Sequence, residues 1–324
     1  MTDISVIVAT RNRPGDLSAC LESLEAQRLA PREIVVVDDD PGGDLTPCVV
    51  AMHARRGPVS YVAGPRAGLA AAHNAALPHV TAPLIAFTDD DVVTDPAWLQ
   101  HIHDAFADVP GAGCVTGRIE PLELDSPVQR MLESYARFDK GAERRVYDLG
   151  EDRPRNALFP FAAGSFGSGA NMAFTRQALD DLGGFDPALG AGTRARGGDD
   201  LSAFFEVILH GHKLVYEPRA LIRHRHAREL PALKRQVYGY GVGLTAYLTK
   251  CLVDRPELAL RALRGVPAAF RHIFSDASPK NAGLDPGYPP QLRRLERIGM
   301  LAGPFAYVAS RRDVAVGRRE RRTA

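Results

Sequence analysis

Long apolar runs are missing from this sequence. No stretch reaches the roughly 18 apolar residues that a membrane-spanning helix needs. The start, with Asp3 ahead of a short strand-like run, is not the basic region and apolar core of a signal peptide. The expectation is a cytoplasmic chain that does not cross a membrane. Cysteine is sparse as well: Cys20, Cys48, Cys114 and Cys251 are scattered without paired spacing, which argues for reduced thiols and against a disulfide frame or zinc site. Charge of one sign is absent too, since 40 Lys and Arg stand against 39 Asp and Glu. That balance excludes bulk basicity as a grip on nucleic acid, so no nucleic-acid partner is expected. Tryptophan occurs once, and Trp98, two residues after Pro96 at a helix start, reads as packing.

What is present is apolar material in short, ordered portions. A chain of 324 residues that is 45% hydrophobic and 24% charged can fill one large domain and a substantial extension. The runs "ISVIVAT", "EIVVV", "VSYVAG" and "PLIAF" read as strands; between them Leu17, Cys20, Leu21 and Leu24 share a helical face and "GLAAAHNAAL" forms another helix. This alternation predicts an α/β fold, a mostly parallel sheet flanked by helices. In open sheets of this kind ligands bind at the carboxyl ends of strands, so the polar residues after Thr10, Val37 and Phe87 should converge. From Gly117 to Phe166 the pattern is weak and predicts loops and short helices over the crevice. Further on, "KLVYEP" and "ALIRH" read as two strands. Asp199 and Asp200 fit the N-cap and first turn of a helix that ends at Gly211. Past residue 228 helix-period segments interleave Arg and Lys with Leu, Tyr and Phe and end in "GRRERRTA". The expected domains are therefore 1–228, the α/β unit, and 229–324, a helical, basic extension. Its helices either pack on the main unit or make peripheral contact with the anionic inner face of a membrane.

"LIAFTDDDVV" sets three adjacent aspartates, Asp89 to Asp91, behind a buried strand. Such a cluster repels itself unless a positive charge sits among it. Asp89 and Asp91 form a D-x-D pair of hard oxygen ligands, which suits Mg2+ or Mn2+ delivered with a substrate diphosphate.

"ISVIVATRNRP", "IVVVDDDP", "FTDDDVV", "GSGANMAF" and "GGDDLS" follow one another in the order and approximate spacing of family 2 glycosyltransferases, and the chain resembles that family from about residue 3 to 226. The resemblance implies a GT-A-like fold and an inverting transfer of sugar from a nucleoside diphosphate sugar, UDP first, to a hydroxyl acceptor (a glycan, a lipid-linked molecule or a small molecule). It also implies roles. Thr10, Arg11, Arg13, Asp39, Arg66, Asp89 and Asp90 would lie along the nucleotide, with Asp39 on the base; Asp91 and Asp89 would hold the metal. Asp200, or Asp199 beside it, would be the general base. The chemistry agrees, because a carboxylate at a helix N-terminus is held ionised by the dipole and free N–H groups. His224 of "RHRH" is a further metal-ligand candidate, with His226 on the same face of an extended strand.

Two positions depart from the family pattern. His73 stands where arginine often helps bind the phosphates, with Arg66 as its substitute, and Ser202 stands where many relatives have a third acid. "GSFGSGAN" lacks the Walker spacing and reads as backbone lining the sugar or acceptor pocket. Two other readings remain open at this level: a non-catalytic nucleotide-sugar-binding homologue, and a sugar nucleotidyltransferase. The second is disfavoured by the single glycine in "TRNRPGD".

Overall fold

The computed structural model describes residues 3–43, 45–275, 277–278 and 280–323. Its first half alternates strands and helices: β1 (Ile4–Thr10), α1 (Pro14–Glu25), β2 (Ile34–Asp38), α2 (Leu45–His53), β3 (Val59–Ala63), α3 (Leu69–Ala76) and β4 (Leu84–Asp89). β1 lies between β2 and β4, parallel to both, and β3 extends the sheet beyond β2. All seven residues of β1 are buried. Ile7 and Ala9 enter the core on one face, with Phe87; Ile4, Val6 and Val8 enter the other, with Leu17, Cys20, Leu21 and Leu24 of α1. A strand covered on both faces needs no polar alternation, which is why these segments read as continuous apolar runs. Burial of each such side chain contributes on the order of 2 kcal/mol.

Then follow β5 (Val92–Thr94), α4 (Trp98–Asp108), β6 (Ala112–Pro121), α5 (Pro127–Ala136), β7 (Arg145–Tyr147), β8 (Asn171–Thr175), α6 (Arg176–Leu182), α7 (Asp199–Leu209) and β9 (Lys213–His224). The sheet order is β3-β2-β1-β4-β8-β6-β9-β5, with β7 also on β9. β8 is antiparallel to β4 and β6, so the sheet is mixed beyond its parallel half.

Three local expectations are corrected. The segment from Gly117 to Phe166, expected to hold loops and short helices, contains the short helix α5 but also two stretches of strand, the second half of β6 and β7. "KLVYEP" and "ALIRH" are one strand, β9, whose pairing with β6 shifts register where Glu217 faces Gly117 and Leu221 faces Arg118; the bulge accommodates Pro218 without ending the strand. The cap of α7 is Gly198 at φ +88°, not Asp199. A Cβ on Gly198 would stand 2.6 Å from the Gly243 carbonyl oxygen, so the chain entering α7 requires glycine both for its conformation and for its approach.

The C-terminal helices are α8 (Leu230–Asp254), α9 (Ala259–Phe274) and α10 (Pro290–Thr323). α8 packs on the α/β unit through Tyr247 and Cys251, which share a core with Phe204 and Phe205. α10 lies against α8 at backbone distance: a Cβ at Gly303 would meet the Val242 carbonyl oxygen at 2.5 Å, and Gly241 and Gly299 meet backbone as closely. Among the described residues no helix is long and apolar enough to cross a membrane.

Candidate active site

β1, β2 and β4 deliver their last residues to one edge of the sheet. Asp89 closes β4, and Asp91 follows in the turn before β5. β5 runs antiparallel to the end of β9 and pairs Val92 with His224. That pairing brings His224 to the aspartates, and the Arg225 N–H donates to the Asp91 carbonyl at 2.9 Å. One ligand atom each from Asp89, Asp91 and His224 lies within 4.8 Å of the others.

The middle aspartate does something else. Asp90 is fully buried; its carboxylate accepts the Thr10 hydroxyl at 2.7 Å and lies 2.9 Å from the Arg13 guanidinium. Arg13 also hydrogen-bonds Asp91. Asp90 therefore anchors Arg13 from beneath, and the buried Thr10 spends its hydroxyl there. Thr10 and Asp90, both expected along the nucleotide, are thus engaged with each other and with Arg13 at the end of β1. Burial pushes Asp90 up to about 7 against the pull of Arg13.

Asp89 is likewise pushed up, to about 6, by burial and by Asp91. Burial would raise Asp91 too, but His224 and Arg13 outweigh it and hold Asp91 down to about 2. Asp91 Oδ1 is buried, 3.3 Å from His224 Nε2, and lacks a well-formed hydrogen bond. Two carboxylates and an imidazole converging this closely, with a buried oxygen left short of donors, fit Mg2+ or Mn2+. Behind them His224 Nδ1 is 3.2 Å from His226 Nδ1, and His226 Nε2 is 2.7 Å from Glu133 Oε2.

At the end of β2, Asp39 accepts the Ala67 and Gly68 N–H groups, both at 3.1 Å. Burial raises its pKa, and those two bonds oppose the rise. Gly68 is needed here: its φ is +93°, and a Cβ would meet the Ala191 carbonyl oxygen at 2.8 Å. Arg11 and Arg66 flank Asp40 at 3.8 and 3.6 Å, on an exposed rim where Asn12 and Arg66 both hold left-handed backbone. Such conformations in non-glycine residues gather at functional sites.

α7 begins with Asp199 and Asp200. Asp200 accepts the Gly169 N–H at 2.9 Å and the Leu201 N–H at 2.8 Å, so the glycine-rich segment before β8 holds this carboxylate in place. Burial raises Asp200, opposed by those N–H groups and by Lys140. Asp199 is buried and pushed up to about 7 by burial and by the Asp200 charge, with Asp89 contributing. Lys140 in turn is pushed down to about 8 by burial, against the pull of Asp200.

Glu133 and Lys140 escape the sequence reading because they lie in the weakly patterned segment. The "SPVQ" capping box, Ser126 with Gln129, marks the start of the helix that carries Glu133. His73 is removed from the crevice altogether. It is buried with ring centroids 5.0 Å from Phe87 and 5.2 Å from Phe185, and neither of its nitrogens has a hydrogen-bond partner among the described residues. Trp98 is fully buried, its indole N–H donating to Asn171 at 2.8 Å.

The family model for glycosyl transferase family 2 matches residues 5–183. The pre-mycofactocin glycosyltransferase of Mycobacterium tuberculosis is 28% identical over 234 residues, 70% of this chain and 44% of that protein. The validoxylamine A glucosyltransferase of Streptomyces hygroscopicus subsp. limoneus is 35% identical over 152 residues, 45% of this chain and 33% of that protein. The chain thus spans less than half the length of these relatives. Among solved structures, the mannosyltransferase PcManGT from Pyrobaculum calidifontis, in complex with GDP-Man and Mn2+, superposes with a TM-score of 0.61 at 20% identity, over 93% of this chain and 86% of that one. S. aureus TarS 1-349 superposes with a TM-score of 0.51 at 18% identity, over 98% and 92%. These likenesses are of fold, and the fold is of the GT-A type. With the family model covering more than half of its residues, the chain belongs to glycosyl transferase family 2.

Proposed function

We propose that this chain transfers a sugar from a nucleoside diphosphate sugar to a hydroxyl acceptor by direct displacement, inverting the anomeric centre. The observation that carries the reading is convergence: the Asp89, Asp91 and His224 ligand atoms lie within 4.8 Å, and Asp89 and Asp200 are close enough that each charge acts on the other. Asp89, Asp91 and His224 are the residues that would hold Mg2+ or Mn2+, which when bound neutralises charge on the departing diphosphate. Arg13, half-exposed and anchored on Asp90, offers a second positive charge to the phosphates. Asp39 stands at the end of β2 to accept hydrogen bonds from a nucleotide base. UDP is the first candidate; PcManGT was solved with GDP-Man and TarS with UDP-GlcNAc, so GDP is the alternative to test.

Asp200 is the proposed base. Its side chain is the less buried of the acidic pair, and the two backbone N–H groups favour its ionised form. As the acceptor oxygen bonds to the anomeric carbon and the bond to the diphosphate breaks, the acceptor proton passes to Asp200. Asp199, buried beside it, is the second candidate.

Calorimetric titration with UDP, GDP and dTDP, each with and without Mn2+, tests the donor site. One nucleotide is expected to bind only with Mn2+, and Asp91→Asn should weaken it by at least about tenfold. Asp200→Asn should keep that binding and lose about 100-fold or more in transfer. Binding of none of the three would sink the donor site; normal turnover by Asp200→Asn would sink the base.

A further inference from the structure

The helix α9 is inverted relative to an ordinary surface helix. Leu260, Leu263, Val266, Phe270 and Phe274 recur at helical spacing on about a third of its circumference, and all five are exposed, at 59%, 65%, 53%, 62% and 42%. Among its residues only Gly265 is buried, seated near Ala157 and Leu158, while the Arg261 guanidinium donates to the Phe159 carbonyl at 3.1 Å. The helix is thus fixed to the body by its small and polar side, and its apolar side is left outward. Five large apolar side chains in one stripe are more than the scattered exposed residues of an ordinary surface.

Charge selects among the occupants. From Ala259 to Phe274 there are three arginines and no Asp or Glu, and Arg264 and Arg271, both exposed, fall at the edge of the apolar stripe. The Arg297 guanidinium lies 4.5 Å from the Phe274 ring centroid and extends the basic border onto α10, where Leu301 and Phe305 are exposed at 76% and 79%. A second copy of this surface would set arginine against arginine. An anionic headgroup layer offers the reverse: negative charge at the depth of the guanidinium groups and acyl chain at the depth of the leucine and phenylalanine side chains.

We propose that α9 lies in the plane of an anionic lipid surface and attaches the protein to it peripherally. Neither the metal-ligand cluster nor the acidic pair takes part, so this attachment and the sugar-transfer reading stand or fall separately.

The test uses the full chain and sedimentation with vesicles of phosphatidylcholine, alone or mixed with phosphatidylglycerol, at low and high salt. The wild type is expected to sediment with the mixed vesicles at low salt and about tenfold less with the neutral ones. Leu263→Glu/Phe270→Glu and Arg264→Glu/Arg271→Glu should each lower that binding by about tenfold or more, with Mn2+-dependent nucleotide binding unchanged. All four substituted side chains are exposed, so the variants are expected to fold, and a circular dichroism melt checks it. Three results would overturn the proposal: no sedimentation of the wild type, sedimentation indifferent to the Leu263/Phe270 pair, or a dimer in analytical ultracentrifugation that this pair disperses.

Discussion

Replacing His226 by phenylalanine should weaken Mn2+ binding although His226 is not among the metal-ligand candidates. The reason lies in a chain of three side chains. His226 Nε2 faces the Glu133 carboxylate at 2.7 Å, and a carboxylate only accepts, so this nitrogen carries a proton. In the neutral ring Nδ1 is then an acceptor, and at 3.2 Å it takes the Nδ1–H of His224. That leaves Nε2 as the His224 nitrogen that faces Asp91 and the ligand cluster, where a metal ion would replace its proton and take its lone pair. Glu133 thus fixes the tautomer of His226, and His226 that of His224, as second-layer partners of metal-binding histidines do. Phenylalanine keeps the ring volume in a site where the side chain is fully buried but removes the acceptor. Loss of such a partner costs about 10- to 100-fold in metal affinity, or about 1.4–2.7 kcal/mol. Free Mn2+ monitored by electron paramagnetic resonance, with and without UDP, gives the binding constant directly. Glu133→Gln, whose amide can still accept from His226, should lose less than His226→Phe. A folded His226→Phe variant that binds Mn2+ as tightly as the wild type would refute the tautomer argument.

Two further outcomes follow from buried contacts. Burial pushes His73 down to about 3 from 6.5, so the unfolded chain takes up a proton below pH 6.5 that the folded chain does not bind until about pH 3, and stability is lost as pH falls through that window. His73→Phe removes this loss: its stability relative to the wild type should rise by about 2 kcal/mol between pH 7 and pH 5, read from urea midpoints, and a difference independent of pH would contradict the burial argument. In the C-terminal helices, Gly303→Val drives a side chain into the Val242 carbonyl oxygen and Thr245 of α8. It should cost about 3 kcal/mol in the same assay; an unchanged midpoint would mean that α8 and α10 part without penalty.

The site was legible where the fold makes sequence and position coincide. β1, β2 and β4 are central strands buried on both faces, so each is a continuous apolar run, and whatever polar residue follows it must stand at the sheet edge. That logic placed Asp39, Asp89 and Asp91 from local sequence alone. β6 was hidden for the opposite reason. Gly113 and Gly117 interrupt its apolar pattern because a Cβ at either would strike His212 or the Ala220 backbone, so a long-range approach is written into the sequence as apparent loop residues. Pro218 concealed the continuity of β9 in the same way, since a bulge that tolerates proline looks locally like a strand end.

The acidic pair shows a third kind of illegibility. "GGDD" reads as a helix start, but nothing local says that the glycines are required by a helix more than forty residues later. Gly197 and Gly198 meet Gly243 of α8 at backbone contact, and α8 meets α10 through Gly241, Gly299 and Gly303. The setting of Asp199 and Asp200 therefore depends on three elements stacked without intervening side chains. We propose that the change of sequence texture at residue 228 marks a boundary of composition more than of folding. Tyr247 and Cys251 lie beyond that boundary, yet they fill the same core as Phe204 and Phe205 of the helix that carries the proposed base.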